Sequence, residues 1–96
     1  MLSDFFYSVV EITEKHTEVE KEKILSPSKN PEVVDARCII IYILNKEGYY
    51  SSQIAKFLNV TEAGVRYSLS SLESRCKNNK ILKRLLSDIQ NEIENK

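Results

Sequence analysis

Six residues in the second half of the chain have side chains suited to the edge of a base pair: Thr61, Glu62, Ala63, Arg66, Tyr67 and Ser70. An arginine such as Arg66 can donate to both acceptors of a guanine at once. A glutamate such as Glu62 can accept from a cytosine amino group, and an alanine methyl such as that of Ala63 can touch a thymine methyl. Thr61 and Ser70 can bond a base or a phosphate, and Tyr67 can reach a phosphate. Just upstream, Ser51, Ser52 and Gln53 would present hydroxyls, an amide and backbone N–H groups at the start of a helix, where anions bind well. Lys29, Arg37, Lys56, Lys77 and Lys80 are the further candidates for phosphate contacts.

No comparable pattern points to catalysis or metal binding. Cys38 and Cys76 are far apart and each falls in an apolar or helical pattern, whereas metal and redox motifs need close clusters. His16 stands beside Glu14, Lys15 and Glu18 with no nucleophile near it in sequence. No catalytic residue, metal ligand or cofactor is expected, and an enzyme is the least favoured class.

The elements that must position the six residues form a helix-turn-helix over residues 51–77. Its first helix, "SSQIAKFL", has the small Ala55 where two helices must approach closely, with Ile54 and Leu58 as anchors. Asn59 suits a turn that needs the left-handed conformation. Val60 and Val65 anchor the turn and the second helix, residues 61–77, which would be the one to enter a major groove. Thr61 is its expected cap, and Val65, Leu69 and Leu72 line its packed side. Gly64 costs about 1 kcal/mol inside a helix, and Ser68 occupies a position that is more often apolar.

The rest of the chain reads as helices around this pair. Leu2, Phe5, Phe6, Val9, Val10, Ile12 and Thr13 recur at helical spacing, with Ser3 or an earlier residue as cap and an end near Lys15 or His16. Thr17 and Glu20 match a capping box for a short second helix. Asn30-Pro31 is a start signal for a long apolar helix, "EVVDARCIIIYILNKEG", which Gly48 would stop. From β-propensity alone Cys38–Leu44 could be a buried strand, but length and these flanking signals favour helix. Ser51 is the expected cap of the next helix. After Asn78-Asn79, Ile81, Leu82, Leu85, Leu86, Ile89 and Ile93 repeat at helical spacing. The expected fold is all-α, a compact bundle of about six helices forming a single domain over residues 1–96.

With 96 residues, 42% hydrophobic and 29% charged, the chain has an ordinary globular composition, long enough for one core. No run approaches the ~20 apolar residues of a membrane span. The N-terminus lacks a basic leader, so the expected location is cytoplasmic, with no membrane and no small-molecule substrate as partner. The formal net charge is zero, but residues 1–25 and 85–96 are acidic while residues 26–84 are basic. Such asymmetry fits a domain with one basic face. The cluster Arg75, Lys77, Lys80, Lys83 and Arg84 could follow a phosphate backbone or simply be solvated helix ends.

The stretch "NPEVVDARCIIIYILNKEGYYSSQIAKFLNVTEAGVRYSLSSLE", with "ILKRLLSDIQNEI" after it, resembles the C-terminal DNA-binding domain of the bacterial replication initiator DnaA. Upstream, "YSVVEITEKHTEVEKEKILSPSKN" is similar to the opening helices of that domain, so the likeness covers nearly the whole chain. It implies an all-helical bundle with a helix-turn-helix similar to that of the Trp repressor, and a bacterial protein that is nucleoid-associated if it binds DNA. It departs where the family reads its origin boxes. The family's glycine pair and arginine-aspartate-histidine-threonine run are replaced by Leu58, Asn59, Val60, Thr61, Glu62 and Ala63. Origin-box recognition is therefore not implied. The family's arginine-rich loop is reduced to Lys29 and Arg37 among Glu32 and Asp35. No glycine-rich phosphate loop occurs, so the nucleotide chemistry of a full initiator is not implied either.

Two readings stay open. One is a stand-alone, sequence-specific binder of double-stranded DNA, serving transcription or replication, with a homodimer as an expected arrangement. The other is a module that keeps the fold and binds a protein partner instead. Glu62 on the reading helix and the acidic ends favour the second; the spacing of the helix-turn-helix favours the first.

Overall fold

Asn30 and Pro31 start the helix around which the others are arranged. In the computed structural model, which describes the backbone of residues 2–95 and side chains from Asp4 onward, this helix is α3 (Pro31–Lys46). The Asn30 side chain accepts the Glu32 N–H at 3.0 Å, and Pro31 occupies the first helical position, where no N–H is needed. The isoleucine run is helical, not extended. Val33, Ala36, Cys38, Ile39, Ile40, Ile41, Ile43 and Leu44 are all buried, so apolar side chains surround most of the helix. Such a helix must be enclosed by others. It touches all five: α1 (Leu2–Thr17), α2 (Lys21–Ile24), α4 (Ser51–Leu58), α5 (Glu62–Asn78) and α6 (Lys80–Glu94).

Gly48 ends α3 with φ at +97°, a value that side chains rarely adopt. Its N–H donates to the Asn45 carbonyl at 3.0 Å, and the Tyr49 N–H donates to that of Leu44 at 3.1 Å. Two carbonyls that the helix would leave open are thereby satisfied.

One buried cluster draws on all six helices, and no strand occurs among the described residues. α1 contributes Phe6, Val9, Val10 and Ile12, and Phe6 stacks on Phe57 of α4 with ring centroids 4.7 Å apart. α6 contributes Leu82 and Ile89, flanked by the half-buried Leu85, Leu86 and Ile93. Its cap is Asn79, whose side chain accepts the Leu82 N–H at 3.1 Å. Glu92 of α6 ties this helix to α1, meeting Lys15 Nζ and His16 Nε2 at 2.8 Å each.

Several expectations need correction. Thr17 does not cap α2: it remains the last residue of α1, and its hydroxyl donates to the Thr13 carbonyl at 2.7 Å. A threonine that stays helical has this back-bond as a competing option. Glu14 Oε2 accepts the Lys21 N–H instead, at 2.9 Å. Ser51 is not the cap of α4, because the Gln53 side chain reaches back to the Tyr50 N–H at 2.9 Å and sets the start one residue earlier. Ile81 is 75% exposed and does not join the apolar side of α6. α1 starts at Leu2, which leaves Ser3 inside it. The position before that helix, Met1, lies outside the described residues.

Candidate nucleic-acid interface

α4 and α5 pack against one another across the three-residue turn Asn59, Val60 and Thr61. The turn is built from local chemistry. Asn59 takes the left-handed conformation, φ 57° and ψ 45°, as its short amide side chain permits. The Val60 N–H then donates to the Ala55 carbonyl at 3.0 Å and the Asn59 N–H to that of Lys56 at 3.4 Å, closing the end of α4. Thr61 caps α5, its hydroxyl accepting the Gly64 N–H at 3.0 Å. Gly64 has a reason to be there: a Cβ at that position would lie 3.1 Å from the Thr61 hydroxyl oxygen. Ile54, Ala55, Leu58 and Val65 are buried beneath the turn, and Val60 packs half-buried against the same core.

This anchoring leaves Thr61, Glu62, Ala63, Arg66, Tyr67 and Ser70 exposed together on the N-terminal half of α5. Tyr67 is 72% exposed. Arg66 makes no hydrogen bond or ion pair among the described residues, so all its donors are available. The Thr61 oxygen is engaged by the Gly64 N–H, which leaves its proton to donate outward. Ser70 is the reverse case, donating to the Tyr67 carbonyl at 3.0 Å and keeping lone pairs free.

Ser52 and Lys56 of α4 share an open hollow of about 440 Å³ with Asn59, Val60 and Glu62. The first helix and the start of the second therefore meet at one concave surface. Ser52 and Lys56 are exposed there, whereas Ser51 and Gln53 are half-buried. The Gln53 amide oxygen is already used by the Tyr50 N–H.

The remaining basic candidates divide. Lys29 is exposed on the loop before α3. Arg37 braces that loop from within: its Nε donates to the Ile24 carbonyl at 3.1 Å, and one terminal nitrogen donates to those of Ser26 at 2.6 Å and Ser28 at 3.2 Å. Burial draws its guanidinium below the ordinary arginine value, and as an arginine it keeps its charge. Arg37, expected at phosphate, thus has another task, as does the Gln53 amide oxygen. Arg75, read as part of the basic cluster, turns inward to pair with Asp35 of α3 and to donate to the Cys38 sulfur at 3.1 Å. A signal for this exists in the spacing, since Arg75 follows the buried Leu72 by one helical turn. Lys77 and Lys80 are exposed at the α5–α6 junction, remote along the helix from Thr61.

Cys38 and Cys76 are free thiols, and no group of side chains among the described residues is arranged to hold a metal ion. No described helix is long and apolar enough to cross a membrane. No protein-family model matches the chain, and no curated protein is significantly similar to it.

Proposed function

We propose that this protein binds double-stranded DNA, with α5 as the helix that enters the major groove. The observation that carries the reading is the surface of the helix-turn-helix. Packing uses Val65 and Leu72, while Thr61, Glu62, Ala63, Arg66, Tyr67 and Ser70 remain exposed at the end of the helix that meets bases in such motifs. Arg66 would read guanine through its O6 and N7, and Glu62 would favour cytosine beside it. Ser52, Lys56 and the N–H groups at the start of α4 would take phosphates, joined by Lys29 and, farther along, Lys77 and Lys80. The resemblance to the initiator's C-terminal domain supports the docking mode, though the replaced reading residues imply a different target site. A regulator of transcription or a replication accessory fits equally. A homodimer would place two copies of α5 about 34 Å apart on the duplex.

Selection from a random duplex pool tests the reading. An enriched site with at least one guanine whose preference disappears in Arg66→Ala is the expected result. Enrichment that is the same with and without Arg66 would remove α5 as the reader.

A second reading, docking to a protein partner, is favoured by the charge balance of α5. With Arg75 turned inward, the exposed charges of that helix are Glu62 and Glu73 against Arg66 and Lys77.

A further inference from the structure

The C-terminal half of α5 borders a second concave surface, away from the turn. α5 and α6 meet at the single residue Asn79, and between them and α3 opens a groove of about 410 Å³. Its walls are Tyr42 of α3, Leu69 and Leu72 of α5 and Leu86 of α6. Of these only Leu72 is fully buried; the other three leave apolar surface facing the opening. Cys76 completes the wall. Burial raises its thiol above the ordinary value against the pull of Lys83 and Arg75, so at neutral pH it stands as an uncharged, apolar group.

Two ammonium groups from different helices stand at the rim, Lys77 of α5 and Lys83 of α6. Neither forms an ion pair or hydrogen bond among the described residues. Glu73 is the third charged residue of the lining, one helical turn before Lys77. The rim therefore carries an excess of positive charge over an apolar floor. A volume of this size lies within the range of small-molecule sites, which combine apolar walls with a few placed polar groups.

We propose that the groove binds a small organic anion, a molecule with an aromatic or branched aliphatic body and one carboxylate. The body covers Leu69, Leu86 and the Tyr42 ring, removing their exposed carbon from water. The carboxylate lies between Lys77 and Lys83. Glu73 opposes it and sets an upper limit on affinity. The groove has this chemistry whether or not the other end of α5 meets DNA.

The test uses the protein alone, labelled with nitrogen-15, titrated with 3-phenylpropionate and separately with its neutral amide. The expected result is saturable shift changes confined to residues around the groove, with a Kd on the order of 1–10 mM for so small a probe. The carboxylate should bind roughly threefold to tenfold more tightly than the amide, as two solvent-exposed ammonium groups allow. Lys77→Gln with Lys83→Gln should abolish that difference, and Glu73→Gln should tighten carboxylate binding by about twofold to fivefold. All three positions are exposed, so the variants keep the fold. Equal binding of acid and amide, shifts scattered over the surface, or no saturation in the millimolar range would each overturn the proposal.

Discussion

Arg66 and Arg75 belong to the same helix and have opposite surroundings. Arg66 extends into solvent, whereas Arg75 pairs with Asp35, their side chains 34% and 26% exposed, and touches the sulfur of Cys38. Losing Arg75 strands a half-buried carboxylate; losing Arg66 strands nothing. Urea denaturation should therefore show Arg75→Ala to be less stable by about 1–2 kcal/mol, a value discounted for partial solvent screening. Arg66→Ala should stay within about 0.5 kcal/mol of the parent. Equal stability of the two variants would contradict the structural role given to Arg75. Charge alone does not show this division; the one signal for it in the sequence is the single helical turn between Leu72 and Arg75. Charge groups Arg37 with the phosphate contacts and leaves Arg75 in a cluster that could follow a backbone or be solvated, because charge carries no information on which way a side chain turns. The exposed six residues of α5 were legible, since Val65, Leu69 and Leu72 had already assigned the packed side of that helix.

At the scale of the elements, the readable features are those where one side chain settles one backbone group nearby. Asn30-Pro31, Gly48, Asn59 and Thr61 each act as read from the sequence. Thr17 and Ser51 were misread because a second local partner competes: the Thr13 carbonyl for one, the Gln53 amide for the other. Ile81 was misread because it depends on how α6 leaves Asn79, which periodicity does not describe. The turn between α4 and α5 offers a direct check. Asn59→Gly should be nearly neutral, whereas Asn59→Ala should cost about 1 kcal/mol, since alanine lacks the amide that eases the left-handed conformation. An unchanged unfolding midpoint in Asn59→Ala would mean that the turn does not impose this geometry. The seam between α1 and α6 makes a second prediction. Hydrogen bonds from Lys15 first, then His16, hold the Glu92 carboxyl below its ordinary value of 4.5. A carboxyl lowered in the folded state stabilises above its unfolded value, and the contribution is lost as pH falls through the folded one. Glu92→Gln should thus melt below the parent at neutral pH, with the two converging in acid. A gap that persists in acid would mean that Glu92 acts by something other than its charge.

Taken whole, the molecule balances its charge and distributes it unevenly. The acidic residues of α1 and α6 lie outside the helix-turn-helix, and the exposed bases Lys56 and Arg66 lie on it. Neutral overall, such a chain has no long-range pull on nucleic acid; attraction must come from local contacts that displace counterions. That makes salt dependence the sharpest measure of the account. Fluorescence anisotropy on a pool of random duplex DNA, for the parent and Arg66→Ala, is the measurement that tests it most directly. With three to five phosphate contacts, affinity should fall roughly 40- to 500-fold between 50 and 200 mM salt, and Arg66→Ala should bind more weakly at both. No binding at the lower salt, by a protein whose fold is intact, would contradict the DNA reading and leave the exposed face of α5 to a protein partner.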